Sequence, residues 1–344
     1  MKLPVTRYYG SKRKLIEDIW SALEERNIQF NSILDLFGGT GILSYYMLTK
    51  RKQVIYNDIF LFNCKIAKAL LDTPCNTFKE IDAIDLLNVR KERDYKQIIE
   101  DNFEGIYYTN TENKIIDIVT QNIHYLPDNM QASAYYILIQ SCIIKRPFNL
   151  FHRNNLNLRI NHTKSKFGNK VTWEQSFYDL FIKFTKELNE FQFSEQQNIQ
   201  IINTSALNCN VEADVVYIDT PYFNNDGSMV SYHSRYHFLE GLVNYDLIEN
   251  NIDLNKKNKE ICINKNKEFE CKQTFLEELH NLISKHRNSI IVLSYTSNGY
   301  PSPDELKEVV MQFKNNVEVV SLGKHSFALN KHNEGREEIL VIGR

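Results

Sequence analysis

The turn after one short apolar segment carries groups that can hold a flat base. Asp219-Thr220-Pro221-Tyr222 comes directly after the buried-strand pattern of residues 215–218. The Asp219 carboxylate and the Thr220 carbonyl can accept hydrogen bonds from an exocyclic amine. Pro221 restricts Thr220 to extended conformations, and Tyr222 offers a ring for stacking. We therefore expect a catalytic site formed by Asp219, Thr220, Pro221 and Tyr222.

A glycine-rich turn follows the apolar segment 32–37. In D-L-F-G-G-T-G at residues 35–41, the glycines, ending at Gly41, let the backbone approach a ligand at the start of a helix. The acid inside the strand fits a methionine-carrying cofactor better than the G-x-G-x-x-G clamp for a pyrophosphate. An NAD site and a purely structural turn are the alternatives.

Two other polar residues stand at the ends of predicted elements. Asp58 follows the second strand, 17 residues after Gly41, and acids about 20 residues from such a turn hold ribose hydroxyls. The alternative for Asp58 is capping of the next helix. Lys12, within R-Y-Y-G-S-K-R-K at 7–14, can meet a carboxylate or phosphate, or belong to a solvated terminus that Ser11 caps.

A basic segment is hidden by the net charge of −2. Residues 129–173 contain no Asp or Glu but seven Lys and Arg residues. Cations interleaved with aromatic and amide side chains suit phosphate contacts and the reading of base edges, and a solvated surface is the alternative. The candidate DNA-binding residues are Lys145, Arg146, His152, Arg153, Arg159, Lys164 and Lys166.

The order of predicted elements indicates an α/β sheet interrupted by an insertion. The 344 residues are 42% hydrophobic, which excludes global disorder and suits about two domains. We predict one α/β domain of residues 1–74 plus 199–344, a mostly helical insertion at 75–198, and an exposed segment at 249–273. The predicted strands are 32–37, 54–56, 199–202, 215–218, 289–295, 317–322 and 338–342, and the predicted helices are 13–26, 42–48, 59–71, 112–124, 131–145, 274–285 and 303–313.

Several classes of protein are disfavoured by what the chain lacks. The six cysteines have no C-x-x-C spacing and indicate free thiols in a reducing compartment. Neither a signal-peptide core nor a run of about 20 apolar residues is present, so we expect a soluble, cytoplasmic protein without a membrane partner. His233 and His237 are four residues apart, but no third ligand has suitable spacing, so we expect no metal.

The ordered motifs resemble the Dam-like class of DNA adenine-N6 methyltransferases, of the restriction-modification type. R-Y-Y-G-S-K, D-L-F-G-G-T-G and N-D precede the insertion, and D-T-P-Y, S-Y-T-S-N-G and E-I-L-V-I-G follow it. The resemblance implies a Rossmann-like class I methyltransferase sheet, S-adenosylmethionine as cofactor, and residues 75–198 as the target-recognition domain for double-stranded DNA.

The resemblance also implies roles for single residues. Tyr8 and Lys12 would lie beside the methionine end of the cofactor, Asp35, Phe37 and Gly39 would shape its pocket together with Asp219, and Asp58 would bind the ribose. Two positions depart from the family pattern. Thr220 stands where the family usually has Pro, and Ser205 stands where relatives often carry an acid against the cofactor's adenine. A hydroxyl would make that second contact more weakly.

The implied reaction is methyl transfer to the N6 amine of an adenine flipped out of double-stranded DNA. Its implied role is protection from a cognate restriction endonuclease in a prokaryotic or phage-infected cell. A cytosine-N4 methyltransferase is an alternative, because the same turn serves both bases. A DNA-binding subunit without catalysis is another, and Thr220 and Ser205 are the residues that favour it.

Overall fold

The computed structural model describes residues 2–5, 7–161, 170–229, 231–263, 266–324 and 337–344. The chain forms two compact units. The first contains residues 1–64, 197–231 and 266–344, and the second contains residues 65–196 and 232–265. The second unit therefore includes residues 65–74 and 232–265, which we had placed in the α/β domain.

Aromatic packing explains why residues 232–265 belong to the second unit. The ring of Phe238 stacks on Phe151 at 5.1 Å and meets Phe103 edge to face at 5.3 Å. These contacts join positions far apart in the chain, so the order of elements alone does not reveal them. The assignment of DNA target recognition to residues 75–198 stays a prediction.

Strands of the first unit build the predicted Rossmann-like α/β sheet. The order in this seven-stranded sheet is β3-β2-β1-β4-β6-β9-β8. β3, β2, β1, β4 and β6 run parallel, and β9 runs antiparallel to β6 and β8, while β5 and β7 form a separate pair. Their bounds are β1 Ser32–Asp35, β2 Gln53–Asn57, β3 Ile199–Ile202, β4 Val215–Ile218, β5 Phe223–Asn224, β6 Ile290–Thr296, β7 Gly299–Tyr300, β8 Val317–Lys324 and β9 Glu337–Gly343.

Continuous apolar runs place the central strands inside the first unit. All four residues of β4 are buried, as are the last six residues of β6 and of β9. Such runs are typical of strands covered on both faces. The core on one face includes Leu34, Val216, Leu293, Val341, Phe275, Leu279, Leu306 and Val310.

The carboxyl ends of the parallel strands meet at one edge of this sheet. β1 ends at Asp35, β2 ends one residue before Asp58, and β4 ends one residue before Asp219. Open α/β sheets bind ligands at this edge. The predicted motifs are thus brought together by sheet topology.

The predicted helices are all present, with ends shifted by up to four residues. α3 continues as a single π-helical turn over Lys68–Asp72, and none of the helices in the described ranges is long and apolar enough to cross a membrane. The bounds are α1 Ile16–Glu25, α2 Ile42–Thr49, α3 Leu61–Ala67, α4 Glu80–Asp85, α5 Ile98–Asn102, α6 Asn110–His124, α7 Asp128–Ile144, α8 Leu156–Ile160, α9 Lys170–Glu174, α10 Phe177–Phe191, α11 Tyr232–Val243, α12 Phe275–Lys285 and α13 Pro303–Met311.

The prediction of an exposed segment at 249–273 is wrong for several of its residues. In the second unit, Ile261 is 4% exposed and bridges to Ile252. In the first unit, Phe269 is 1% exposed, and its ring meets Phe37 edge to face at 5.2 Å. Single apolar anchors among Asn and Lys residues produce no periodic pattern, so composition misrepresents the segment.

Candidate active site

A cluster of polar side chains lies beyond the end of β4, and we call it the Lys12 cluster: Lys12, Asp219, Tyr222, Ser294 and Glu338. Lys12 Nζ is 3.0 Å from Asp219 Oδ1 and 2.8 Å from Glu338 Oε1. It also donates a 2.6 Å hydrogen bond to the Tyr222 hydroxyl. The structure therefore joins the N-terminal motif to the D-T-P-Y turn.

Glu338 is the charged member of this cluster to which sequence reasoning assigned no role. It is fully buried, and Ser294 Oγ donates to its Oε1 at 2.6 Å. A charged residue near the start of an otherwise apolar strand was the available signal, because carboxylates are rarely buried without partners.

Tyr222 is held between two carboxylates. Its hydroxyl lies 2.8 Å from Asp219 Oδ1 and 2.6 Å from Glu338 Oε1, and one hydroxyl proton can serve only one acceptor at a time. Its ring lies 4.6 Å from that of Tyr295 at an angle of 50°. The hydrogen bonds of the Tyr222 hydroxyl thus hold in place the ring that we predict to stack on a base.

The electrostatics of the Lys12 cluster follow from burial. Burial lowers the pKa of Lys12, but attraction to Asp219 and Glu338 outweighs this and leaves the pKa raised. Burial raises the pKa of Asp219, an effect that Lys12 partly offsets. With both carboxylates ionised, the cluster carries one net negative charge, which favours a positively charged ligand.

Thr220 and Pro221 complete the turn between Asp219 and Tyr222. Thr220 is 3% exposed, and its hydroxyl group makes no hydrogen bond within the described structure. The side chain that departs from the family pattern therefore has no polar partner among the described residues.

The glycine-rich turn follows β1 in the chain and contacts the end of β2. Gly39 and Gly41 have φ values of +49° and +69°, which favour glycine. A Cβ atom on Gly38 would lie 2.1 Å from the Tyr56 ring. The Tyr56 hydroxyl donates to Gly39 O at 2.8 Å, so part of the glycine requirement is structural.

Asp58 braces this turn. Its Oδ2 accepts a 2.8 Å hydrogen bond from Gly39 N, and its Oδ1 accepts one of the same length from Phe60 N. Phe60 lies one residue before α3, which begins at Leu61, so capping of that helix by Asp58 stays a prediction. Each carboxylate oxygen has a second lone pair, so binding of a ribose by Asp58 stays a prediction.

Asp35, at the end of β1, is buried beside other acids. Ser44 Oγ donates to its Oδ2 at 2.7 Å. Burial raises the pKa of Asp35 to about 7, Ser44 lowers it in part, and the charges of Asp219 and Asp58 raise it further. Asp35 therefore titrates near neutral pH.

Two further candidate cofactor residues are Tyr8, which lies beside the glycine-rich turn, and Ser205, which follows β3. A Cβ atom on Gly39 would lie 3.7 Å from the Tyr8 ring. Asn203 Nδ2 donates to Asp58 O at 2.8 Å and ties the segment after β3 to the end of β2. In that segment the Ser205 hydroxyl is buried and has no hydrogen-bond partner among the residues that the structure describes, which fits a ligand that carries a polar heterocycle.

The histidine considered as half of a metal pair has a structural role in the second unit. His237 is 2% exposed, its Nε2 lies 2.8 Å from the Tyr107 hydroxyl, and its Nδ1 accepts a hydrogen bond from Ile261 N. Within the residues that the structure describes, no three His, Cys, Asp or Glu side chains are grouped as metal ligands.

Three cations of the basic segment are engaged within the second unit. Lys145 and Arg159 pair with Glu112 at 2.9 and 2.8 Å. Arg146 is fully buried, and its guanidinium donates to Leu150 O and to Arg153 O at 3.2 and 2.6 Å. This placement gives no support to the direct DNA contacts predicted for these three residues. Glu112 lies outside the acid-free stretch, so its pairing was missed.

Two other candidates of the basic segment are at least partly accessible. Arg153 is exposed, and His152 is partly buried. Burial and the charges of nearby arginines lower the pKa of His152 to about 4, so it is neutral near pH 7. Lys164 and Lys166 lie outside the described residues, and DNA binding by all four stays a prediction.

Comparison with known proteins agrees with the resemblance drawn from the motifs. A family model described as "D12 class N6 adenine-specific DNA methyltransferase" matches residues 8–259. Modification methylase StsI of Streptococcus sanguinis is 26% identical over 89% of this chain, and the match covers 46% of StsI. Type II methyltransferase M2.HphI of Haemophilus parahaemolyticus is 25% identical, with 72% of this chain and 73% of the relative covered.

A viral relative matches along nearly its whole length. Type II methyltransferase M.CviAII of Paramecium bursaria Chlorella virus 1 is 20% identical over 98% of this chain and 94% of its own. The chain thus spans less than half of StsI but most of M.CviAII. The family match includes the glycine-rich turn, Asp58 and the D-T-P-Y turn, and it confirms the predicted class of enzyme. The chain belongs to the D12 class of N6 adenine-specific DNA methyltransferases.

Proposed function

We propose that this protein transfers a methyl group from S-adenosylmethionine to the N6 amine of a specific adenine in double-stranded DNA. The observation that carries the proposal is the position of Asp219 and Tyr222. They lie at the same edge of the sheet as the glycine-rich turn, and the buried Lys12 ammonium is paired with Asp219.

The proposed cofactor site consists of side chains and backbone at the ends of the strands. The Ser205 hydroxyl, which has no partner in the described part of the chain, and the net negative charge of the Lys12 cluster fit a ligand with a heterocyclic base and a positive charge. Bound S-adenosylmethionine supplies an activated methyl group on a positively charged sulfur. The residues proposed to hold it are Tyr8, Lys12, Asp35, Phe37, Gly39, Gly41, Asp58, Ser205 and Asp219.

The D-T-P-Y turn would orient the target amine. An adenine can reach the site only after leaving the DNA stack. Asp219 and the Thr220 carbonyl would each accept a hydrogen bond from an N–H of the target amine, and the Tyr222 ring would stack on the base. These contacts direct the nitrogen lone pair toward the methyl group, so the protein contributes orientation and polarisation.

The second unit is proposed to bind the DNA target through its basic segment. Arg153 is the described arginine candidate exposed to solvent. Contacts of this kind make binding salt-dependent, because phosphate-bound counterions are released. Protection of DNA from a cognate restriction endonuclease is the proposed role, supported by the names of the relatives as modification methylases and Type II methyltransferases.

Methyl transfer with isotope-labelled S-adenosylmethionine tests this proposal. Asp219→Ala should reduce labelling of DNA to background, while circular dichroism and the melting temperature report a retained fold. Asp304→Ala, at an exposed aspartate of α13, is the matched control and should label DNA like the unaltered protein. Near-normal labelling by Asp219→Ala would refute the assignment.

The identity of the labelled base separates the proposed reaction from the cytosine alternative. Digestion to nucleosides should place the label in N6-methyladenine. Label in N4-methylcytosine would instead favour the cytosine reaction. Cofactor and DNA binding without any labelling would favour a DNA-binding subunit.

A further inference from the structure

Glu338 has three donor groups within hydrogen-bond distance of one oxygen, although the predicted mechanism gives it no part. Its Oε1 lies 2.6 Å from the Tyr222 hydroxyl, 2.6 Å from Ser294 Oγ and 2.8 Å from Lys12 Nζ. Glu338 is on β9, opposite Thr296 of the antiparallel neighbour β6. It therefore reaches the site from the antiparallel side of the sheet.

Asp219 already has two donors before a target amine arrives. Its Oδ1 is 3.0 Å from Lys12 Nζ and 2.8 Å from the Tyr222 hydroxyl. An incoming amine must therefore compete for this oxygen. A buried ammonium that lost its acceptor without a replacement would be strongly destabilised.

Both competing donors have a second acceptor in Glu338. Lys12 Nζ lies closer to Glu338 Oε1 than to Asp219 Oδ1, and so does the Tyr222 hydroxyl. They can thus release Asp219 without becoming unsatisfied. The Ser294 hydroxyl donates to the same oxygen and fixes the orientation of the Glu338 carboxylate.

We propose that Glu338 is a positioning residue for methyl transfer, which retains the Lys12 ammonium and the Tyr222 hydroxyl so that Asp219 can accept the target amine. This role rests on the function proposed above. It requires a carboxylate, because an amide at this position leaves Asp219 as the remaining counter-ion of Lys12 in the cluster.

The charge of Glu338 also affects the pH dependence of the rate, which a purely structural role of Glu338 would not change. The charged or titratable groups that act on Asp219 are Lys12, Glu338, Tyr222, Asp35 and Tyr217, and Glu338 is the carboxylate whose charge raises the pKa of Asp219 most. Removing this charge should shift the acid limb of the rate profile to lower pH. Loss of packing alone would leave the limb in place.

Steady-state kinetics on the full chain test the proposal with Glu338→Gln. We expect kcat to fall about 100-fold, as a misplaced reacting group can cause, with KM for DNA and for S-adenosylmethionine within about threefold, and an acid limb at lower pH. The control is Glu337→Gln, the same change at the next residue, whose carboxylate accepts from Ser321 rather than from the cluster. The control should leave all three quantities unchanged.

A second variant covers the case in which Glu338→Gln does not fold. Ser294→Ala removes one donor to Glu338 and keeps every charge. We expect kcat to fall about tenfold with KM retained. The role of Glu338 would be overturned if kcat were unchanged in Ser294→Ala or in a folded Glu338→Gln. It would also be overturned if kcat fell in Glu338→Gln without a shift of the acid limb.

Failure of the proposed function gives a different result. The unaltered protein would then not methylate adenine at all. In that case the Asp219 carboxyl is labelled with carbon-13, its NMR signal is assigned with Asp219→Asn, and its titration is followed in the ligand-free protein. The same titration is measured in Glu338→Gln, or in Glu338→Asp if Glu338→Gln does not fold. If Asp219 titrates at lower pH in Glu338→Gln, or at a changed pH in Glu338→Asp, the result supports an effect of Glu338 on the Asp219 carboxyl. If the titration of Asp219 is the same as in the unaltered protein, the role of Glu338 is overturned.

Discussion

Asp35 is a buried carboxyl group that receives a hydrogen bond from the Ser44 hydroxyl and lies near two other acids. Burial makes its ionised form unfavourable, the charges of Asp219 and Asp58 add to this effect, and its pKa is raised to about 7. In an unfolded chain the same group titrates near pH 4. Its protonation is therefore linked to folding.

Stability should fall with rising pH because of Asp35. A carboxyl whose pKa is higher in the folded protein favours folding at low pH, and this contribution is lost as pH rises from about 4 to about 7. Between pH 5.5 and pH 8 we expect a loss of about 2 kcal/mol from Asp35. Urea unfolding of the unaltered protein and of Asp35→Asn measures it, and equal pH dependence of the two proteins would contradict the shift.

Thr220 is one of the two residues that favour the alternative of a DNA-binding subunit without catalysis. Its buried hydroxyl has no partner within the described structure, whereas its backbone carbonyl is the group proposed to act. Thr220→Val keeps the shape and removes the hydroxyl, so we expect a gain of about 1 kcal/mol in unfolding free energy. Methylation should stay within about threefold of normal, and a complete loss would show that the hydroxyl is needed.

At the scale of elements, the motifs that end parallel strands were predictable and their long-range partners were not. The glycine-rich turn and the D-T-P-Y turn each follow an apolar run, so sheet topology alone brings them together. Glu338 with Lys12, and Glu112 with Arg159, join positions far apart in the sequence. Local patterns carry no information on such pairs.

The anchor Phe269 offers a test at this scale. It is 1% exposed and meets the rings of Phe37 and Phe275. Phe269→Ala should cost about 3–5 kcal/mol of unfolding free energy, because a cavity replaces the ring. Leu254→Ala is the control from the same Asn- and Lys-rich segment, since Leu254 is 75% exposed. Equal stability of the two variants would restore the exposed-segment interpretation.

At the scale of the whole molecule, sequence order predicted an α/β sheet and a mostly helical insertion, but it placed residues 232–265 in the wrong compact unit. That stretch follows β5 in the chain, and long-range contacts assign it to the second unit, such as the stacking of Phe238 on Phe151 and the hydrogen bond between Tyr107 and His237. The basic segment is similar. Its charge was evident from composition, whereas burial decides which cations face solvent.

Two arginines of the basic segment should therefore behave differently. Arg153→Ala should weaken DNA binding and reduce the slope of log affinity against log salt by about 1, with stability retained. Arg159→Ala should chiefly lower the melting temperature, because it leaves part of the charge on Glu112 unpaired. Fluorescence anisotropy over a salt series and thermal unfolding distinguish them, and identical effects of the two changes would contradict this division.

The most direct test of the central claim is sequencing of modified bases in DNA from a methylation-free host that expresses the protein. We predict N6-methyladenine at one defined sequence with the unaltered chain and none with Asp219→Ala. Unmodified adenine in a host that contains folded, unaltered protein, or methylation that persists in Asp219→Ala, would contradict the account.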